Sequence, residues 1–302
     1  MTDMKRYKKR DFGAFGRFCG KIFPNKRDNI KQIAIKISYL AVIIAMVCAT
    51  FGFSAYYGDV YMQRRLLNAE RRIYSENDIK TATELLKKRN SDYVGWITLP
   101  NTELNCPIYK SRDNGFYLNL NSQKKDSKYG SLFLDCEMDI NKSNRVIYGN
   151  NARDGMMFST LEKLRNLKFY KENYRLTFSD GGSEEVYAVY AVFVMNSRLQ
   201  QDDGNIYDIR MTDFSDAARV DDWVSDAKER SVIDTNIDVN KYDKVITLVT
   251  TCDDFEDARL VVMARAIREG EVLSGTNDRA TPNLNPKYPK KWYTDRNIKY
   301  PF

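Results

Sequence analysis

The chain has 302 residues, 43% of them hydrophobic, enough for the core of one ordinary domain with extensions. Its net charge of +7 is unevenly placed: residues 1–36 hold eleven Lys/Arg against three Asp, which leaves the rest of the chain close to neutral. A basic character confined to one end gives no support to a nucleic-acid surface, and a chain without histidine has neither a Cys/His zinc site nor imidazole acid–base chemistry.

The basic segment, residues 1–36, is followed at once by an apolar run over residues 37–57, broken only by small or weakly polar side chains such as Ser38, Thr50, Gly52 and Ser54. Its 21 residues are long enough to cross a bilayer as a helix. Tyr56 and Tyr57 stand where an interfacial aromatic belt belongs. The positive flank predicts a single-pass cell-membrane anchor, with the N-terminus cytoplasmic and residues 58–302 extracellular. A cleaved signal peptide fits less well, because the run exceeds a signal core of about 7–15 residues and no clear small-residue cleavage site follows it.

Residues 58–90 read as a helical stalk with N-terminal helices, the best amphipathic pattern covering residues 78–88. A strand-rich body occupies residues 91–270. Strands are predicted at 94–99, 103–109, 131–136, 145–148, 175–179, 186–195, 245–250 and 260–267, with a turn at Asp180-Gly181-Gly182-Ser183. Helices are predicted over 156–166 and 213–230. Many short strands with a few inserted helices point to a mainly β fold built as a closed barrel. Residues 271–302, polar and rich in proline, are expected to form an irregular, solvated tail.

Five cysteines fall in three environments. Cys19 is in the basic segment, Cys48 in the apolar run, and Cys106, Cys136 and Cys252 in the body. No Cys-x-x-Cys occurs. A Cys106–Cys136 pair is one reading, and two small buried side chains on strands is the better one. Cys252 differs from both. It ends the run Thr247-Leu248-Val249-Thr250-Thr251-Cys252, and seven residues later Arg259 opens a second apolar run, Leu260-Val261-Val262-Met263-Ala264. A thiol at one strand end and a guanidinium at the start of the next is a nucleophile beside an anion stabiliser. The polar loop between them, Asp253-Asp254-Phe255-Glu256-Asp257, predicts an accessible strand end.

Upstream lie Gly95-Trp96-Ile97, Asn105-Cys106-Pro107-Ile108, Asp113-Asn114-Gly115-Phe116-Tyr117-Leu118, Tyr129-Gly130-Ser131-Leu132-Phe133-Leu134-Asp135, Ile147-Tyr148-Gly149-Asn150-Asn151 and Asp154-Gly155-Met156-Met157-Phe158. In order and spacing, and ending in the cysteine and arginine, residues 75–270 resemble the class B sortases, membrane-anchored cysteine transpeptidases. The resemblance implies an eight-stranded β-barrel with added helices and no cofactor or metal. It implies Gram-positive-type cells as the setting. Its partners would be secreted proteins with a C-terminal sorting motif and an amine acceptor on a peptidoglycan precursor or pilin. By resemblance, Cys252 attacks the sorting signal to give a thioester, Arg259 holds the substrate or oxyanion, and Asn150 orients a group or a water. Cys252, Arg259 and Asn150 are then expected to share one groove.

The chain departs from the family pattern twice. Asn150 stands where the family has the histidine of Tyr-Gly-His-Asn, and a carboxamide cannot exchange a proton near neutral pH. The family also ends its nucleophile strand Thr-Leu-x-Thr-Cys, whereas here three residues separate Leu248 from Cys252. Strand side chains alternate, so one extra residue reverses the face unless a bulge absorbs it. A bulge, or an ungapped match over 248–252, is expected to keep Cys252 in place. Two functions fit these residues: a transpeptidase with a modified site, and a weak or inactive homologue that binds sorting signals or pilins as an assembly factor; a third, a membrane-anchored structural barrel with no peptide groove, explains neither Cys252 nor Arg259.

Overall fold

The computed structural model describes residues 21–302 except 26–27, 153, 205, 274 and 276–277. Most of the basic segment, Cys19 included, therefore lies outside the described residues. The chain divides into two compact units, Met1–Met62 and Gln63–Phe302. The first contains most of helix α1 (Ile30–Glu76), whose apolar stretch covers residues 37–57. It is long and apolar enough to cross a membrane, and the side chains of its most apolar stretch are not buried against the protein. At about 1.5 Å per residue, 21 residues match a hydrocarbon core of about 30 Å.

The second unit is a closed barrel. Its strands are β1 (Tyr93–Thr98), β2 (Asn105–Tyr109), β3 (Leu132–Leu134), β4 (Asn144–Tyr148), β5 (Arg175–Ser179), β6 (Glu184–Asn196), β8 (Val245–Thr251) and β9 (Ala258–Ala266), with the short β7 (Ile233–Asp234) outside it. The barrel strands are hydrogen-bonded in the order β1-β2-β3-β4-β8-β9-β6-β5 and close on β1. All eight predicted strands are present. The long central strands β6, β8 and β9 read as near-continuous runs of Val, Ile, Leu, Ala and aromatic residues. They are buried along most of their length because helices or loops cover their outer faces. The parallel pairs β2–β3 and β4–β8 require crossover connections, and these carry the inserted helices and loops.

The segment read as a stalk with N-terminal helices packs on the barrel at its far end. The last turns of α1 bury Leu67 and Glu70, and Arg71 donates from Nε to the Asn105 carbonyl at 2.9 Å and from Nη2 to the Glu103 carbonyl at 2.7 Å. Tyr74 stacks on Trp96 with ring centroids 4.4 Å apart and planes 7° apart. Helix α2 (Ile79–Arg89) is capped by Asp78, which accepts from the Thr81 N–H, and it buries Ala82, Thr83 and Leu86. The aromatic and backbone contacts to β1 and β2 hold the last turns of α1 on the barrel.

The region 156–166 is a short 3₁₀ segment, Ser159–Arg165, followed by helix α3 (Leu167–Asn173). Helix α4 (Ala217–Arg230) begins at an Asp216 cap, later than the sequence pattern suggested. The C-terminal region is not the irregular, solvated tail expected of it. Strand β10 (Thr281–Pro282) pairs with β7, and helix α5 (Lys290–Asp295) carries Trp292, stacked on Tyr288 at 4.2 Å. Lys287 reaches Asp226 at 3.0 Å, and Arg296 reaches the Asp254 carbonyl at 3.4 Å. The aromatic and cationic side chains that made this stretch look polar are the groups that fasten it to the barrel.

Candidate functional site

β4, β8 and β9 end side by side, and their ends form a groove of about 280 Å³. Asn150, Thr251, Arg259, Arg210, Asn114 and Tyr148 are among its lining residues. β8 runs in unbroken register with both neighbours, Asn144 to Tyr148 opposite Val245 to Val249 on one side and Thr251 to Val245 opposite Arg259 to Arg265 on the other. The bulge expected near Cys252 is therefore absent from both pairings. Directly opposed residues of an antiparallel pair share a face. Arg259 thus shares its face with Thr251, and the next residue along, Cys252, takes the other face.

The surroundings of the two side chains agree with that alternation. Thr251 is exposed, while Cys252 is 6% exposed, is not among the groove-lining residues, and sits with its N–H bonded to the Ala258 carbonyl at 3.3 Å. Its sulfur lies instead in an acidic cluster, where the Sγ and one carboxylate oxygen each of Glu162 and Asp254 are all within 4.8 Å of one another. Arg165 grips Asp254 with two hydrogen bonds of 2.7 and 2.8 Å and reaches Glu162 at 3.3 Å. Burial favours a neutral Asp254, but the Arg165 fork outweighs it and holds the carboxyl below its ordinary value. Burial first, and then the Asp254 charge, push the Cys252 thiol up to about 12. The guanidinium that would lower it, Arg259, belongs to the opposite face.

Cys252 should therefore alkylate slowly. With its thiol near 12 rather than the ordinary value of about 8.5, the thiolate fraction at pH 7 falls by about 10³-fold. Timed iodoacetamide labelling, read by peptide mass spectrometry, is expected to show Cys252 at least about 10²-fold slower than a free cysteine, and rising with pH beyond 9. Labelling as fast as free cysteine at pH 7 would contradict this environment. Cys106 and Cys136 are both free, the first buried and the second half-buried, so they are two separate thiols.

Asn150 lies in the groove, as expected, but its amide is committed. Nδ2 donates to the Leu118 carbonyl at 2.8 Å and to the Tyr129 carbonyl at 3.2 Å, which leaves only the Oδ1 acceptor uncommitted. Its backbone carbonyl accepts from Phe158 N–H at 3.0 Å. Asn151 donates to the Thr251 carbonyl at 3.0 Å and ties the end of β4 to the end of β8. Arg259 gives one N–H to the Ala258 carbonyl at 3.0 Å, and among the described residues no carboxylate pairs with it. The groove thus brings together Asn150 and Arg259 of the three expected residues; Val249, Thr250 and Thr251 also line it, and Cys252 follows them directly at the end of β8.

Asn114, Asp135 and Tyr148 lie in the segments that carry the resemblance, though none was assigned a role, and Arg210 had no sequence signal at all. Asp135, fully buried at the end of β3, accepts from Arg210 Nε at 2.9 Å, Tyr148 Oη at 3.0 Å and Asn114 Nδ2 at 3.2 Å. Arg210 also reaches Glu137 at 3.1 Å. These bonds fasten the connection between β6 and α4 to the β3–β4 loop and fix one wall of the groove. Thr251, by contrast, was legible: counting Thr-Leu-x-Thr and one more residue from Thr247 ends on Thr251.

Comparison with known proteins agrees with this architecture. Residues 97–267 match the model of the sortase domain. The chain is 31% identical over 187 residues to a sortase B of Listeria monocytogenes, covering 60% of this chain and 72% of that one. It is 29% identical over 197 residues to a sortase B of Staphylococcus aureus, covering 64% and 78%. Among solved structures, a cysteine-to-serine mutant of Clostridium perfringens sortase B superposes with a TM-score of 0.61 at 29% identity, over 68% of this chain and 98% of that one. A sortase B from B. anthracis gives 0.62 at 26% identity, over 70% and 98%.

Proposed function

Because the chain belongs to the sortase family of cysteine transpeptidases, in its class B branch, we propose that it is a membrane-anchored homologue whose groove binds the sorting signals of secreted proteins and transfers them slowly or not at all. The observation that carries this reading is the unbroken register of β8, which sets Thr251 opposite Arg259 and sends Cys252 to the other face. A threonine hydroxyl beside an asparagine amide has no base to activate it and no acid to protonate a leaving amine. Losing a general acid alone costs typically ~10²–10⁴-fold. What remains is a groove with two arginines, amides and an aromatic wall, the equipment of a peptide receptor. Such a protein would act as an assembly factor that presents wall-bound or pilin-like substrates at the membrane surface.

One observation favours a second reading, transpeptidation through Cys252. The cysteine directly follows the groove-lining Thr251 and opens the β8–β9 loop, so the thiol is one residue from the groove. In that reading the thiolate displaces the amine of the scissile amide to give a thioester, and an acceptor amine from the cell wall or a pilin then displaces the thiol. Intact-mass spectrometry of the full-length protein incubated with candidate pentapeptides separates the two. Non-covalent binding without an acyl adduct is expected. An adduct mapped to Cys252 would establish the second reading.

The anchor in this proposal is residues 37–57, with the basic flank cytoplasmic and the barrel outside. Protease added to intact protoplasts is expected to remove residues 90–270. Full protection of that region would reverse the topology.

A further inference from the structure

We infer that the groove is a seat for a peptide carboxylate, held by Arg259, with Arg210 as a second cation in the same lining. The inference rests on the peptide-binding reading above and names the chemistry of its ligand. In a transpeptidase, an arginine at this place serves an oxyanion that exists only while a nucleophile is attached to the carbonyl. In the receptor reading no nucleophile attacks, so that transient charge does not arise. The guanidinium remains, half-buried, with a single hydrogen bond to the carbonyl of its own neighbour and no carboxylate partner among the described residues. A cation in that condition is best complemented by a standing anion.

The rest of the lining points the same way. Arg210 is the second cation of the groove. Its carboxylate partners are Asp135, which is fully buried, and Glu137, and neither lines the groove. Asp254 and Glu162, the other acids near the end of β8, lie with Cys252 and are engaged by Arg165. No carboxylate is therefore among the lining residues to compete with a ligand for Arg259. Asn150 has spent both amide hydrogens on the Leu118 and Tyr129 carbonyls, so its free Oδ1 suits a peptide N–H and not an anion. The principal donor for the charge is Arg259, whose planar fork matches a carboxylate in bidentate fashion, with Arg210 adding its charge from the same lining although Asp135 and Glu137 engage it. An amide acceptor beside a guanidinium fits the last residue of a peptide, with its N–H on one and its carboxylate on the other.

The test uses the full-length protein in lipid nanodiscs and calorimetric titration with pentapeptides ending in threonine. Each sequence is supplied as the free acid, as the C-terminal amide, and as the amide with glutamate in the fourth position. The free acid is expected to bind at least about 10-fold more tightly than the amide, with the gap narrowing at high salt. R259Q is expected to abolish the gap and R259K to restore part of it, since lysine keeps the charge but loses the fork. R210Q is expected to reduce it. Tight binding of the glutamate amide supports the same seat with a side-chain carboxylate as its source. Equal binding of acid and amide by wild type overturns the inference while leaving peptide binding intact. Absence of binding for every form overturns both this inference and the receptor reading. A gap that survives R259Q, in protein with an unchanged thermal melt, places the anion elsewhere and overturns the assignment to Arg259.

Discussion

Replacing Thr251 by cysteine and Asn150 by histidine together is expected to raise cleavage of a cognate sorting peptide by about 10³-fold or more over wild type. The estimate combines a general acid worth typically ~10²–10⁴-fold with a nucleophile that has no counterpart in the present groove. Position 251 is exposed, lines the groove and lies opposite Arg259, so a thiol there meets the guanidinium that its present neighbour, Cys252, does not. Threonine to cysteine removes a methyl group and adds no bulk. A histidine at 150 can keep one of the two carbonyl bonds made by Asn150 through a ring N–H, with its second nitrogen free for proton transfer. Nucleophile and acid act as a unit, so each single variant is expected to gain far less than the pair. The control is Cys252→Ala in the double-variant background. The gain should persist there. If Cys252→Ala abolishes it, Cys252 is the nucleophile after all, and the placement of Thr251 in the site is wrong. If the double variant stays inert while peptides still bind, the groove has diverged beyond these two positions.

The barrel was legible because its evidence is local. Runs such as Val245 to Thr250 and Leu260 to Ala266 are strands by composition and length, and each appears as one. Asn150 was legible because it replaces a histidine within an otherwise intact Tyr-Gly-x-Asn, and it does line the groove. What the sequence left open was a single residue of register. Cys252 is the eye-catching residue of its strand, and chemistry argued for keeping it in the site, either by a bulge or by an ungapped match over 248–252. Sequence alone does not say whether a bulge forms. That depends on whether β4 and β9 both pair continuously with β8, a property of three strands distant in the chain. The acidic cluster around Cys252 was hidden for the same reason. Glu162 and Arg165 lie far upstream, and only the fold brings them to Asp254. The C-terminal region was misread because its anchors, Lys287 on Asp226 and Arg296 on the Asp254 carbonyl, are long-range contacts made by side chains that look solvated in isolation.

Gly130→Ala is expected to be among the most destabilising single substitutions in the barrel and to dismantle the seat of Asn150. Gly130 has φ of +58°, which costs about 1–2 kcal/mol for a residue with a side chain. A Cβ there would also lie 2.4 Å from the Leu118 carbonyl oxygen and 2.5 Å from that of Tyr117, backbone atoms that cannot move aside cheaply. The Leu118 carbonyl is the acceptor for Asn150 Nδ2, and the Tyr129 carbonyl, its other acceptor, directly precedes Gly130. The Tyr117 carbonyl accepts from Ser131 N–H at 2.9 Å. Relief of the clash must therefore shift either the Leu118 carbonyl, which holds Asn150, or the Gly130 backbone, which follows the Tyr129 carbonyl that also holds it. Conformational strain and clash together place the cost at roughly 3–5 kcal/mol, in the range of the severe mutational mechanisms. For a domain of this size that lowers Tm by about 10 °C, at roughly 2–4 °C per kcal/mol. Gly155→Ala supplies the comparison, because Gly155 has φ of +91° but nothing within 4 Å of its Cβ position. It carries the backbone cost without the clash and should lower Tm by only about a third as much. Differential scanning calorimetry of both variants, with peptide binding measured on each, checks the argument. Equal, small shifts for the two would mean that the loop holding Leu118 yields easily, and that Asn150 is not held by it.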